Sequence, residues 1–215
     1  MTQAPQHHLG GLNIAILVTD GFEQVELTGP LKALEESGVM IRLLSDKKGQ
    51  VQGYHHDQRG DLFDVDMTFD KAKGEEFDAV LLPGGAVNSN RIRNNADAQQ
   101  IVRQTDRQGK PVAVICHGAW LLVSAGLVKG RKLTSWPSVR QDIEDAGGQW
   151  VVTSRRPPGK SETVVLRGRL QPRKCAGHIP CDSICRISGR IIRSSRQQVR
   201  RNVGGSVFHH GYFGN

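Results

Sequence analysis

Cys116 combines a reactive residue type with a sequence context that suits catalysis. Apolar, mostly β-branched residues (111–115) lead directly to it, and His117 and Gly118 follow. This pattern predicts a buried strand that ends in a sharp turn into a helix, with the cysteine at the bend, as in the nucleophile elbow of serine hydrolases. Exposed amides and the helix dipole at such a bend lower the pKa of a thiol and favour the nucleophilic thiolate. Free cysteines are also often small buried apolar residues, but the position at the turn makes us favour a catalytic thiol.

Gly84 and Gly85 could supply backbone amides to the same site. They come just after another apolar stretch (78–82), and ligands of doubly wound sheets bind at the carboxyl ends of the strands. Glycines let backbone amides approach a ligand closely, as an oxyanion hole requires. We therefore predict that the amides of Gly85 and His117 face the carbonyl oxygen of a substrate that Cys116 attacks.

Two further side chains could tune the thiol. Glu26 lies near the start of the first predicted helix among apolar positions, so we expect its carboxyl group to reach the sulfur and modulate the thiol pKa. Glu23 is explained by the helix dipole alone. His117 could be a general base or could contribute only its amide, and a third group should orient the imidazole if it is a base. Adjacent side chains at a turn diverge, so we do not expect this imidazole to touch the Cys116 sulfur.

Strands that alternate with helices must position these residues. The predicted strands are 12–19, 39–45, 78–82, 111–115 and a short piece within 129–135, and the predicted helices are 22–37, 97–109, 119–126 and 137–146. A polar, turn-rich stretch (49–66) suits an antiparallel excursion at a sheet edge. The alternation predicts a doubly wound α/β sandwich with a mostly parallel sheet.

Length and composition indicate one domain followed by a tail. A chain of 215 residues can bury one substantial core. The composition changes near residue 156, which divides the chain into a predicted domain (10–156) and an atypical basic C-terminal tail (157–215). A run of about 18 apolar residues is absent, and so is a signal-peptide pattern. We therefore expect a cytoplasmic protein without a membrane partner.

The net charge of +8 comes from the tail. Residues 1–156 carry 18 Lys/Arg against 19 Asp/Glu, whereas residues 157–215 carry 11 against 2. Nucleic acid is thus disfavoured as a partner except through the tail, which could bind it electrostatically. The weak apolar periodicity of the tail favours a disordered or non-native segment, such as the product of a shifted reading frame, over a functional one. We predict no cofactor. We also predict no metal, because the spacing of the candidate zinc ligands in the tail lacks the paired loops of zinc sites (Cys175, His178, Cys181 and Cys185).

The segments around these residues resemble the ThiJ/PfpI superfamily. The similar blocks are residues 20–30, 81–88, 113–122, 132–137 and 142–148. The resemblance is to the PfpI-type branch of intracellular cysteine peptidases and deglycases, which is class I glutamine amidotransferase-like. It extends from about residue 12 to about residue 156.

The resemblance implies a flavodoxin-like sandwich whose active site lies near a subunit interface, and hence a homo-oligomer. It also implies Cys116 as the nucleophile, His117 as its partner, Glu26 as the carboxyl group beside the sulfur and Gly85 as an oxyanion donor. The implied activities are peptide hydrolysis, removal of glyoxals or deglycation of protein and nucleotide adducts, and stress-linked chaperoning. The implied substrate is a small molecule or a peptide.

Two features depart from the family pattern. Family members commonly carry an acid after the two glycines that reaches the active-site histidine, from a neighbouring subunit in oligomeric members, but Asn90 stands at that position here. An asparagine can orient an imidazole but does not stabilise an imidazolium as a charge, so a weaker peptidase is expected. In addition, an Arg-rich sequence replaces the usual closing helix of the family from residue 157 onward.

The sequence therefore predicts a stress-related, cysteine-dependent hydrolase that attacks a carbonyl group or a glycation adduct, in a copy impaired by these two departures. The alternative is a non-enzymatic redox sensor or stress chaperone in which Cys116 is oxidised.

Overall fold

A six-stranded, mostly parallel sheet forms the centre of the molecule. The computed structural model describes residues 9–151 and the backbone of residues 163–166. The strands are β1 (Asn13–Leu17), β2 (Phe22–Glu23), β3 (Met40–Ser45), β4 (Gln50–His55), β5 (Gln58–Asp64), β6 (Met67–Thr68), β7 (Ala79–Leu82), β8 (Val112–Ile115), β9 (Lys132–Leu133), β10 (Gln149–Trp150) and β11 (Thr163–Leu166). The helices are α1 (Gln24–Glu35), α2 (Ala86–Ile92), α3 (Ala96–Arg107), α4 (Ala119–Ser124) and α5 (Arg140–Asp145). The central sheet has the order β11-β8-β7-β1-β3-β6, in which β11 alone runs antiparallel to its neighbour.

Apolar cores cover both faces of this sheet. Ile14 and Ile16 of β1 belong to the core that includes residues of α1, whereas Ala15 and Leu17 belong to the core that includes residues of α3 and α4. Strands buried on both faces read as continuous apolar runs, which is why the sequence reveals them. The arrangement confirms the predicted doubly wound α/β sandwich with a mostly parallel sheet.

The predicted antiparallel excursion exists, and it belongs to a small separate sheet and not to the central one. Strands β4 and β5 form a hairpin that joins β2 in a separate three-stranded sheet. The reason lies at Gly21, whose positive φ of 87° turns the chain, so that the next two residues run extended and pair with β4 before α1 begins. The apolar spacing predicts that the first helix starts at Phe22. In the structure, helix α1 starts at Gln24.

Two other helical segments differ from their predictions. Helix α2 is not apparent from the sequence, because its residues (86–92) lack apolar periodicity. The helix predicted over 137–146 is divided into a single 3-10 turn (Pro137–Val139) and α5.

Among the described residues, those of β11 (Thr163–Leu166) lie beyond the sequence boundary at residue 156. Strand β11 lies within the range assigned to the tail and pairs with β8. The four candidate zinc ligands of the tail lie outside the described residues, and the division into a domain (10–156) and a tail (157–215) stays a prediction. Among the helices that the structure describes, none is long and apolar enough to cross a membrane.

Parallel pairing decides where the candidate residues meet. Strands β1, β7 and β8 are adjacent and point the same way, so their carboxyl ends lie side by side. The end of β7 is followed by Pro83, Gly84 and Gly85, and the end of β8 is followed by Cys116. Helix α1 begins seven residues after the end of β1. The sheet thus gathers residues distant in sequence at one edge.

Candidate active site

Cys116 stands at the sharp turn that the sequence predicts. It follows β8 directly and has a positive φ of 55°, a left-handed conformation that is rare for a non-glycine residue and costs on the order of 1–3 kcal/mol. A single 3-10 turn (Cys116–Gly118) then leads into α4. Gly118 has to be a glycine, because a Cβ atom there would lie 2.6 Å from the Leu82 carbonyl oxygen. The strand, turn and helix together form the arrangement of a nucleophile elbow.

The imidazole of His117 touches the sulfur, contrary to the expectation that the two side chains diverge. The distance from Cys116 Sγ to His117 Nδ1 is 3.2 Å. The expectation is wrong because it assumes ordinary backbone angles at the turn, whereas the left-handed conformation of Cys116 redirects its side chain towards the next residue. Direct proton transfer between the thiol and the imidazole is therefore geometrically available.

Ser138 supplies the third group that the imidazole requires. Its Oγ lies 3.1 Å from His117 Nε2, and the Trp136 amide donates to the Cys116 carbonyl oxygen over 3.1 Å, which holds this segment beside the elbow. When Nε2 carries the hydrogen and donates it to Ser138, Nδ1 has a free lone pair for the thiol proton. Sequence reasoning misses Ser138 because no local pattern connects it to a histidine 21 positions earlier.

Two indole rings enclose the imidazole. The ring centroids of Trp120 and Trp136 lie 5.3 and 5.7 Å from that of His117. Trp120 is itself fixed, since its Nε1 donates to Asp142 over 2.8 Å and the guanidinium of Arg93 lies 5.2 Å from the ring centroid. Burial among these groups lowers the pKa of His117 from its ordinary value of 6.5, because desolvation disfavours the imidazolium.

The lowered pKa of His117 predicts where activity is lost in acid. A base must be neutral to accept the thiol proton, so kcat/KM should rise with pH through the His117 pKa. Because burial lowers that pKa, we expect the midpoint of the acid limb to lie below pH 6.5. A pH profile of kcat/KM measures it, and an acid midpoint above 6.5 would show that the imidazole is not the group that titrates.

Replacing Ser138 with Ala should reduce activity moderately. The change removes the partner of His117 Nε2 and lets the imidazole adopt the tautomer with hydrogen on Nδ1, which does not accept the thiol proton. One hydrogen bond of about 1 kcal/mol corresponds to about a fivefold loss of kcat/KM. The exposed Ser138 makes little difference to folding, so an unchanged melting temperature is the control. Ser138→Thr keeps the hydroxyl group and should restore activity; equal losses in both variants would contradict the role of the hydroxyl.

Glu26 lies in the first turn of α1 and contacts Gly84. It is 2% exposed, and its Oε2 accepts a hydrogen bond of 2.6 Å from the Gly84 amide. A Cβ atom on Gly84 would lie 2.6 Å from this carboxyl oxygen and 2.7 Å from Cys116 Cβ. The absence of a side chain at Gly84 thus lets the carboxyl group and the cysteine approach the same point.

The two glycines have different roles in this geometry. The Gly84 amide donates its hydrogen to Glu26. The predicted oxyanion donors are therefore the amides of Gly85 and His117. Gly85 has a positive φ of 84°, and a Cβ atom there would lie 2.5 Å from the Gly21 carbonyl oxygen. The His117 amide nitrogen is 3.0 Å from the point where a Gly84 Cβ would stand.

Asn90 is an exposed residue of α2. Its role as the residue that orients His117, which the family pattern predicts, stays a prediction. Within the described residues, no group of three or more His, Cys, Asp or Glu side chains is placed to hold a metal ion.

Comparison with known proteins assigns the family. A model of the DJ-1/PfpI family matches residues 12–171, and the chain belongs to this family. Deglycase PfpI of Pyrococcus furiosus is 43% identical over 140 residues, which are 65% of this chain and 81% of that protein. General stress protein 18 of Bacillus subtilis is 35% identical over 171 residues, which are 79% of this chain and 92% of that protein.

A solved structure supports the fold independently. The crystal structure of Drosophila melanogaster DJ-1beta matches with a TM-score of 0.62 and 17% sequence identity, over 90% of this chain and 91% of that one. The family assignment and the shared fold confirm the resemblance to the ThiJ/PfpI superfamily that the sequence blocks indicate.

Proposed function

We propose that this chain is a cysteine-dependent hydrolase of the deglycase or peptidase type, with Cys116 as its nucleophile. The observation that carries the proposal is the elbow itself: a buried thiol in a left-handed conformation, 3.2 Å from the imidazole of its neighbour. Such strain is retained where the surrounding structure imposes it, and it clusters at active sites. Relatives named deglycase and general stress protein favour a carbonyl adduct as the substrate and a stress-related role.

The geometry supports a defined sequence of proton transfers. Cys116 Sγ attacks the carbonyl carbon of the substrate while its proton passes to His117 Nδ1, which the lowered pKa of the imidazole keeps neutral and receptive. The carbonyl oxygen becomes an oxyanion, which the amides of Gly85 and His117 would stabilise. With a peptide bond or an ester, His117 then returns the proton to the departing amine or alcohol, and water releases the acid from the sulfur. With a methylglyoxal adduct, departure of the amine leaves a hemithioacetal on Cys116, a proton shift from its hydroxyl-bearing carbon to the neighbouring carbonyl carbon gives a lactoyl thioester, and water releases lactate.

Glu26 completes the proposed machinery. A buried carboxyl group next to a thiol couples the protonation of the two groups, since two adjacent buried anions repel each other. Glu26 would thereby set the protonation state of Cys116 while its Oε2 holds the Gly84 amide. The proposal includes a cytoplasmic location and a homo-oligomer whose neighbouring subunit approaches His117, with Asn90 as the contact residue.

The direct test is turnover by the purified full chain. The substrates are N-acetylarginine treated with methylglyoxal and a peptide ester, and the products are lactate and the free acid. Lactate is the appropriate measure because spontaneous reversal of an adduct returns methylglyoxal unchanged. Turnover of either substrate supports the proposal, and the absence of turnover of both rejects it.

The second candidate function is a redox sensor or stress chaperone. It is favoured by the relative named general stress protein and by the thiol that lies 3.2 Å from an imidazole able to take its proton, since the thiolate is the form that is oxidised. Mass spectrometry after mild peroxide treatment distinguishes the two functions. A sensor would gain oxygen at Cys116 without turning over either substrate.

A further inference from the structure

Asn88 is a fully buried polar residue of α2 that links two strand ends. Its Oδ1 accepts hydrogen bonds from Thr19 N (2.7 Å) and Thr19 Oγ1 (3.1 Å), just after β1. Its Nδ2 donates to the carbonyl oxygens of Pro83 (3.1 Å) and Gly84 (2.9 Å), just after β7. These partners fix the orientation of the amide, because a flipped group would face the two carbonyl oxygens with its own oxygen.

The carbonyl group of Gly84 is held from two sides. It accepts from Asn88 Nδ2 over 2.9 Å and from the Glu23 amide over 3.4 Å. A peptide unit between two glycines rotates at little steric cost, so this unit needs external contacts to keep a single orientation. Asn88 provides the shorter of the two.

The orientation of this carbonyl group determines that of the next amide. Gly84 C=O and Gly85 N–H belong to one planar trans peptide, in which the oxygen and the hydrogen point in opposite directions. Bonds that hold the Gly84 oxygen towards α2 and β2 therefore direct the Gly85 N–H away from them. Gly84 itself is packed against Cys116 Cβ and the His117 amide.

We propose that Asn88 is a positioning residue that holds the Gly84–Gly85 peptide so that the Gly85 amide faces the oxyanion formed by attack of Cys116. Asn88 does not touch the substrate and acts through Gly85. The inference rests on the proposed function, since an oxyanion arises only if Cys116 attacks a carbonyl group. Because the donor acts in the transition state, its misplacement lowers kcat and leaves KM nearly unchanged.

Asn88→Asp tests the donor half of the side chain. Aspartate has the same size and still accepts from Thr19, but its oxygens replace the donor that holds Pro83 and Gly84. Loss of one oxyanion donor reduces kcat by about 10²-fold or more, and we expect a loss of this order with KM changed by less than about twofold. Alkylation of Cys116 by iodoacetamide forms no oxyanion, so its rate should stay within about twofold of the wild-type rate.

Thr19→Val is the matched control. It removes the hydroxyl bond at the other end of Asn88 and leaves the Nδ2 bonds in place. We expect a lower melting temperature and an unchanged kcat. The proposal is overturned if Asn88→Asp keeps the wild-type kcat, if Thr19→Val loses kcat equally, or if alkylation slows in parallel with turnover.

A second variant and a crystal structure keep the inference testable by another route. If Asn88→Asp does not fold, Asn88→Ala receives the same kinetic comparison. A crystal structure of the wild-type protein with an aldehyde added to Cys116 should show Gly85 N within hydrogen-bond distance of the adduct oxygen, and an amide that points elsewhere overturns the inference. Absence of wild-type turnover rejects the proposed function alone, because the orientation of the peptide is read from the crystal structure.

Discussion

Cys116→Ser is expected to abolish turnover of methylglyoxal adducts and peptide esters. A serine hydroxyl ionises far less readily than a thiol, and the neutral imidazole of His117, whose pKa burial lowers, is a weak base for it. Loss of a nucleophile from a catalytic unit costs at least about 10³-fold in kcat. The measurement is the initial rate of lactate or acid formation at equal protein concentration.

Folding of this variant provides the control. The hydroxyl group replaces the sulfur beside His117 Nδ1, where it has a hydrogen-bond partner, so the free energy of unfolding should change by no more than about 1.5 kcal/mol. Ser138→Ala, which alters the same imidazole from its other side, should retain about a fifth of the wild-type kcat/KM. A folded Cys116→Ser protein with wild-type rates would show that the thiol is not the nucleophile, and this result would reject the proposed function.

Residue patterns predict the parts of the site that depend on the parallel sheet. Buried strands are visible as apolar runs, and the carboxyl ends of adjacent parallel strands meet at one edge. This is enough to bring Gly85 and Cys116 together from the sequence alone. Glu26 is predicted because a carboxyl group among apolar positions needs an explanation. Its Oε2 accepts from the Gly84 amide, close to Cys116 Cβ, and its action on the thiol stays a prediction.

Contacts that depend on a single backbone angle or on the path of a loop cannot be predicted from the sequence pattern. The imidazole of His117 reaches the sulfur only because Cys116 adopts a positive φ. The spacing of apolar residues carries no information about that angle. Ser138 and Asn88 make their contacts through tertiary proximity, across 21 residues to His117 and 69 residues to Thr19. The separate sheet of β2 with the hairpin is missed for the same reason, because two extended residues before a helix carry no pattern of their own.

Gly84→Ala is expected to reduce activity strongly, although it preserves every reacting group. The added Cβ atom would stand 2.6 Å from Glu26 Oε2, 2.7 Å from Cys116 Cβ and 3.0 Å from the His117 amide nitrogen. Glu26 could rotate away only by giving up its hydrogen bond to the Gly84 amide, and Cys116 Cβ is fixed to the backbone of the elbow. A displacement of about 1 Å at reacting groups costs about 10²-fold in rate, so we expect at least this loss in kcat/KM.

Stability and a second glycine separate this effect from the general cost of losing a glycine. Overpacking of this kind lowers the free energy of unfolding by about 1–3 kcal/mol, which leaves the protein folded for the assay. Gly10 has no atom within 4 Å of its potential Cβ position, so Gly10→Ala should match the wild type in both rate and stability. Gly84 does not have a positive φ, so any loss in Gly84→Ala comes from contact with the site. Activity of the variant within about tenfold of the wild type would mean that these three groups need not be so close for catalysis.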